Sequence, residues 1–293
     1  MRLGIIGAGR VGASFILALK HAVHIVGISC STADSTRQKA AALGMTPYEN
    51  PIDLVNRCDV VLITTGDDVI GDIGQALACG GAEPQHTTGG TVIFHCSGSL
   101  GLAPLAPLAA VGFHVGSLHP LQSFAKPAGG QLHQIYMAVD GDETAYTAGE
   151  TMAALVGSHV FRVPEAERPL YHAAACFCSN YVVTVAAMAQ KLMARWTPTP
   201  QAAADALRPL LKGTLDNLMD QEVLRQALTG PVSRGDAGTV QKHVDCLPQE
   251  YLEAYCVLAK ETADLALQNG TIIPKQHDQL TRILAMAKGD FHE

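Results

Sequence analysis

The chain has 293 residues, 48% of them apolar and only 5% aromatic, with a formal net charge of −7. That length suits one large domain or two ordinary ones. An acidic balance whose 20 basic residues form no run argues against nucleic acid as a partner. The eight cysteines contain no CxxC pair, so they are expected as reduced, small apolar residues in a reducing, cytoplasmic compartment. The opening "MRLGIIGAGR" is broken too early by glycines and Arg10 to read as a leader. "AAACFCSNYVVTVAAMA" (Ala173–Ala189) falls short of the about 20 apolar residues a span needs, so it is expected as a buried helix with no membrane role.

Leu3–Ile6 reads as a short apolar strand, followed by Gly7-Ala8-Gly9-Arg10-Val11-Gly12 and a helix-period run to Lys20. Gly7 permits the sharp turn, Gly9 leaves room for a pyrophosphate against the backbone, and Gly12 allows close packing of helix on strand. The helix N-terminus then offers free N–H groups to phosphate. A dinucleotide is the expected cofactor.

His24–Ser29 is the next strand, ending where the adenosine ribose lies in such domains. A ribose with a free 2′-hydroxyl usually meets an acid there. This chain instead has "SCSTADSTR", with Ser29, Ser31, Thr32 and Arg37 placed to serve a 2′-phosphate. A charge-assisted contact of about 1.5–3 kcal/mol is enough to set a preference. NADP(H) is therefore expected over NAD(H).

The alternation continues with a helix at "NPIDLVNRC", a strand Asp59–Thr65, a helix at "DDVIGDIGQALAC" and a strand Thr91–Ser99. Val111–Phe124 reads as a strand running into a loop; then come Gln134–Gly141, a helix Glu143–Leu155, and His159–Pro164. Strands separated by helices imply a doubly wound parallel sheet with its ligands at the carboxyl ends of the strands. That selects Thr64, Thr65 and Gly66, then Ser97 and Gly98, then His119 as site-facing positions. From Glu165 onward the strand pattern stops. Helices are expected over Glu165–Trp196, Pro200–Leu211, Gly213–Ala227, Ala237–Cys246, Pro248–Gln268 and Pro274–Met286. The reading is α/β followed by all-α: residues 1–164 as the dinucleotide-binding domain and 165–293 as a substrate and dimerisation domain.

A GAGxxG Rossmann domain ahead of a helical domain resembles the group of ketopantoate reductase, pyrroline-5-carboxylate reductase, prephenate dehydrogenase and the β-hydroxyacid dehydrogenases. The phrases "HCSGSL", "LHPLQSF", "YHAAACFCSNY" and "GPVSRGD" are similar to those of a branch described as Rossmann-like oxidoreductases with a C-terminal domain of unknown function. The resemblance covers nearly the full length and implies an NAD(P)-dependent oxidoreductase, with the second domain pairing two chains. In ketopantoate reductase and the hydroxyacid dehydrogenases the long first helix of that domain carries a Lys with an Asn one turn on, and ketopantoate reductase has a further Asn. Setting Asn180 at that last position puts His172 at the Lys and Cys176 at the first Asn. This departure leaves substrate class open.

His172 can donate a proton to a carbonyl oxygen or imine. His119, held extended by Pro120, is the other candidate, and Asn180 is the group that would orient a substrate. His95, His114 and His119 match no compact metal-ligand spacing, so no metal is expected. In "TGPVSRGDAGTV", Gly230-Pro231 ends a helix, Gly235 permits a positive φ and Asp236 caps the next helix, leaving Arg234 beside its N-terminus. Arg234 and Asp236 are expected in a site loop, with the joining of two helices as the other reading. Two functions stay open: a reductase of a small carbonyl or imine, and a dinucleotide-binding sensor or assembly protein without catalysis.

Overall fold

The structure is a computed structural model that describes residues 1–84 and 89–288. It divides into two compact units, Met1–Tyr181 and Val182–Glu293.

The first unit runs β1 (Arg2–Ile6), α1 (Arg10–Leu19), β2 (His24–Ser29), α2 (Ala33–Leu43), α3 (Pro51–Val55), β3 (Val60–Ile63), α4 (Asp67–Cys79) and β4 (Val92–His95). It continues with α5 (Ala106–Ala110), β5 (His114–Pro120), β6 (Tyr136–Gly141), α6 (Glu143–Leu155), β7 (His159–Arg162) and α7 (Arg168–Cys178). The strands form one sheet in the order β2-β1-β3-β4-β5-β6-β7. Apolar side chains fill both faces. Phe15, Ile16 and Leu19 of α1 pack with Leu3, Ile5 and Phe94 on one side, and Ile63, Ile70, Leu77 and Leu105 pack on the other. Burial on both faces is why these strands read as continuous apolar runs.

The sheet is not wholly parallel. β6 pairs antiparallel with β5, His119 facing Ala138, while β7 returns parallel to β6. The connection from β5 to β6 carries one short 3₁₀ turn, Gly129–Leu132, and no crossover helix of the kind that parallel strands use. His119 also lies inside β5 rather than in a loop after it.

The expected single helix Glu165–Trp196 is three pieces: a 3₁₀ turn Glu165–Glu167, α7, and α8 (Asn180–Met193). Ser179 leaves the helical region at φ −122°, ψ −73°, which separates α7 from α8. Among the described residues, Glu165–Met193 is the one helical stretch long and apolar enough, by length and composition, to cross a membrane. It is not a buried helix: α8 has no buried residue.

In the second unit α9 spans Pro200–Met219 without a break, passing through Pro209 and Gly213. The expected division at Gly213, and a helix reaching Ala227, are therefore replaced by one helix ending at Met219 and a 3₁₀ turn Leu224–Ala227. α10 (Ala237–Cys246), α11 (Gln249–Gln268) and α12 (Pro274–Lys288) follow. The unit's core is Val232, Val240, Leu252, Cys256, Ala263, Ile272 and Leu280, with neither α8 nor α9 contributing a buried member.

Candidate functional site

The glycine loop leaves β1 through Gly7, whose φ is +93° and whose amide donates to Ser29 O at 2.8 Å. A Cβ on Gly7 would meet the Thr65 methyl at 2.7 Å, and one on Gly12 would meet Gly7 O at 2.6 Å. Gly9 is different: nothing lies within 4 Å of where its Cβ would be. Gly9 is also the N-cap of α1 and supplies no side-chain cap, so the first amides of that helix stay available to an anion. This open cradle at a helix N-terminus fits a dinucleotide pyrophosphate. Ala8 is buried and Val11 half-buried under the loop, while Arg10 is exposed on it. Thr64 Oγ1 donates to Gly7 O, so Thr64 and Thr65 act as buttresses of the turn, and Gly66 starts α4 beside them.

At the ribose end, Ser29 is buried and Ser31 exposed. Thr32 caps α2 by accepting from Ser35 N at 3.1 Å. Arg37 is ion-paired with Asp34 at 2.5 Å and with Glu49. A 2′-phosphate would have to draw Arg37 from these two carboxylates, an arrangement the sequence did not suggest.

At the carboxyl ends of β4 and β5 the polar groups converge. His95 is fully buried; its Nδ1 accepts from Ser97 N at 3.2 Å and its Nε2 donates to Gly101 O at 3.0 Å. Burial, with the nearby Arg168 charge, pushes His95 down to about 4, so it is a neutral structural ring. Ser97 Oγ donates to Asp67 at 2.7 Å and accepts from Ser99 N and Leu100 N. Its side chain ties the loop after β4 to the start of α4. Gly98 then passes under two imidazoles: a Cβ there would lie 2.7 Å from His172 Cδ2 and 2.9 Å from His119 Nε2.

His119 Nδ1 is 2.7 Å from the Tyr171 hydroxyl, and the two rings meet edge-on at 86°. Burial, the neighbouring His172 and the Arg168 charge push His119 down to about 4. Burial pushes the Tyr171 phenol up to about 12. Below them sits Arg168, the first residue of α7 and fully buried. Its Nη2 donates to Ser117 Oγ of β5, and its Nε lies 3.7 Å from the Asp140 carboxylate of β6. Among the described residues Nε and Nη1 have no hydrogen-bond partner, and burial draws the guanidinium below its ordinary value. Arg168 thus anchors the first turn of α7 to the sheet. Tyr171 and His172, three and four residues on, share its face.

A cleft of about 770 Å³ joins these parts within the first unit. Arg10 and Val11 of the glycine loop line it together with His119, Tyr171, His172 and Asn180. Gln122, Phe124 and Phe161 supply further wall. Cys176 Sγ is 4.0 Å from His172 Nδ1. Asn180 follows the Ser179 break instead of continuing one helix face, yet borders the same cleft. The structure therefore brings together the glycine loop, Gly98, His119, His172 and Asn180. Arg168 and Tyr171 were not singled out from the sequence. An arginine opening an apolar helix was the available signal for the first; the partner of the second is 52 residues away.

Arg234 and Asp236 belong to the second unit. Gly235 has φ +71°, and Asp236 caps α10, accepting from Thr239 N at 3.1 Å and Thr239 Oγ1 at 2.7 Å. Gly230, at φ +100°, lies in the loop before Pro231 and does not end a helix that reaches Ala227.

Residues 1–120 match a Rossmann-like domain, and residues 135–262 match a domain of unknown function, DUF2520. The chain joins a Rossmann-like domain to a DUF2520 domain. The DUF2520 match begins just ahead of β6, so Tyr171 and His172 belong to it, while His119 closes the Rossmann-like match. No curated protein matches the chain. Among solved structures it is similar to protein TM1727 of Thermotoga maritima, with 24% identity over 91% of this chain and 99% of that one, at a TM-score of 0.65. A pyrroline-5-carboxylate reductase of Streptococcus pyogenes is similar at 16% identity over 96% and 98% of the two chains, TM-score 0.64. A reductive aminase of Aspergillus terreus, in complex with NADPH and ethyl-5-oxohexanoate, is similar at 14% over 99% and 94%, TM-score 0.58. These likenesses establish the fold.

Proposed function

We propose that the chain is an NADPH-dependent oxidoreductase that reduces a small carbonyl or imine. The observation that carries this reading is the single cleft lined both by the phosphate-binding loop, through Arg10 and Val11, and by His119, Tyr171 and His172. Similarity to a pyrroline-5-carboxylate reductase and to an NADPH-bound reductive aminase supports the same chemical class. A bound reduced nicotinamide would supply the hydride. Gly7, Gly9 and Gly12 and the N-terminus of α1 hold the pyrophosphate, and Ser31, Thr32 and an Arg37 released from Asp34 and Glu49 favour a 2′-phosphate. His119, neutral near pH 7, polarises the substrate's C=O or C=N. His172, at the cleft wall, gives the proton, and Asn180 orients the substrate. Reduced cysteines and NADPH consumption suit the cytoplasm, and two copies pair through α8 and α9.

The test is direct. Purified chain is titrated with NADPH and NADH by fluorescence, then NADPH oxidation is followed with panels of 2-keto acids, aldehydes and cyclic imines. The proposal expects tighter NADPH binding and turnover with at least one panel member. NADPH binding with no turnover across the panels favours the sensor reading, which the His172 and Cys176 departures from the Lys and Asn of related enzymes also support. Equal affinity for both cofactors removes the 2′-phosphate assignment.

A further inference from the structure

We infer that Tyr171 is a positioning residue that fixes His119 in its Nε2–H form, so that this N–H faces the cleft beside Gly98 as a hydrogen-bond donor to substrate. The inference rests on the reductase reading above for the identity of the acceptor, a carbonyl oxygen or imine nitrogen. The placement of the proton on His119 stands independently of it.

The geometry is specific. The Tyr171 hydroxyl and His119 Nδ1 are 2.7 Å apart, and this is the hydroxyl's one hydrogen bond among the described residues. Of the two neutral groups, the phenol is the stronger acid and the imidazole nitrogen the stronger base, so the shared proton sits on oxygen and points at Nδ1. A neutral imidazole that accepts at Nδ1 carries its own proton at Nε2. Desolvation and the buried Arg168 charge hold the ring neutral rather than doubly protonated.

Nε2 packs close against Gly98: it lies 2.9 Å from the point a Cβ would occupy there, so only glycine leaves room for the ring in this position. Among the described residues no protein acceptor holds Nε2, and His119 lines the cleft. Tyr171 is itself held from three sides. Phe161 of β7 meets its ring edge-on at 5.8 Å, His119 meets it on another side, and Arg168, one turn earlier in α7, is fastened to Ser117 and Asp140. A fixed donor aimed at developing negative charge is a recurrent source of catalytic stabilisation. The contact also spans the two matched segments: His119 closes the Rossmann-like match and Tyr171 lies in the DUF2520 match.

The experiment uses the full-length chain. Long-range ¹H–¹⁵N spectra of ¹⁵N-labelled protein near neutral pH report the tautomer of each histidine, with His119→Gln assigning the resonances. Wild type is expected to show His119 with a protonated Nε2 and an unprotonated Nδ1. Tyr171→Phe keeps the ring packing and removes the donor; it is expected to leave the melting temperature and NADPH affinity close to wild type while His119 becomes a tautomer mixture. With any substrate found in the panels, kcat should fall about tenfold or more at an unchanged KM for NADPH. An Nδ1–H tautomer in wild type, or an unchanged Nε2–H tautomer in Tyr171→Phe, overturns the inference. If Tyr171→Phe does not fold, the wild-type spectrum still decides the tautomer. If no panel member is turned over, the reductase reading fails while the spectra still test the placement of the proton.

Discussion

At the scale of single residues, the cleft depends on small and neutral groups in tight places. Gly98 is the clearest case, because both imidazoles occupy the space its Cβ would fill. Gly98→Ala is expected to displace His119 and His172, weaken binding of any cleft ligand and shift both rings' resonances, with a modest loss of melting temperature. Unchanged spectra would remove Gly98 from the site. The histidines also give the fold a pH signature. His95 and His119 titrate at about 4 in the folded chain, against 6.5 in its unfolded state. Between those values the unfolded chain binds more protons, so stability is complete above 6.5 and declines as pH falls toward 4. Each ring can contribute a loss on the order of 2–3 kcal/mol. Urea midpoints should therefore fall between about pH 7 and pH 5. That loss precedes the one from Asp59, whose bond to Arg2 holds it below the ordinary carboxylate range and which acts only at lower pH. His119→Gln should reduce the slope by one proton; an unaltered slope means that His119 is not buried as a neutral ring. The glycine loop was legible because its chemistry lies within six consecutive residues. The His119–Tyr171 pair was not, because it joins two strings of sequence whose proximity only the sheet and α7 create.

At the scale of elements, the loop "TGPVSRGDAGTV" shows what local chemistry can and cannot specify. The positive φ at Gly235 and the Asp236 cap of α10 were readable from residue types alone, since each is satisfied within three residues. Losing the cap in Asp236→Ala should cost about 1 kcal/mol in urea unfolding, with Asp236→Asn closer to wild type. Gly235→Ala should cost at least as much, because its φ of +71° suits glycine and a Cβ would meet Gln276 Cδ at 2.8 Å. No loss in either variant would mean that the turn carries no stability. Arg234 is exposed and makes no ion pair among the described residues, so Arg234→Lys should leave the unfolding midpoint in place. A tenfold or larger loss of ligand affinity in that variant, about 1.4 kcal/mol, would identify the loop as part of a binding site. The misread boundaries have physical causes as well. Ser179 interrupts Glu165–Met193 without a proline or glycine to announce it, whereas α9 runs through Pro209 and Gly213, both of which argue for a stop. The direction of β6 was hidden because strand residues look alike in either sense, and only the connection decides.

At the scale of the whole molecule, α8 and α9 present an unsolved burial problem. They span 14 and 20 residues, yet the only buried side chain on either is Ala203. Val183 is 70% exposed, Leu210 69% and Met219 83%, while the core of the second unit is built from the loop and helices after them. Large apolar side chains left this exposed on two helices call for a cover. A second copy of the chain is the occupant the arrangement favours, because a two-fold axis lets one apolar helical surface cover its own equivalent. A lipid surface fits less well. The apolar stretch that would enter it, Glu165–Met193, contains Arg168, which is buried against Ser117 and Asp140, and His172, which lines the cleft. Light scattering at micromolar concentration should therefore give twice the single-chain mass. The double variant Val183→Glu, Leu210→Glu should give the single-chain mass while keeping the folded circular dichroism spectrum, since both positions are exposed within one chain. The variant's mass, together with co-sedimentation of wild type with anionic vesicles, separates the possibilities. A wild-type monomer ends the pairing proposal, and a monomer that co-sediments with vesicles assigns the same helices to a lipid surface instead.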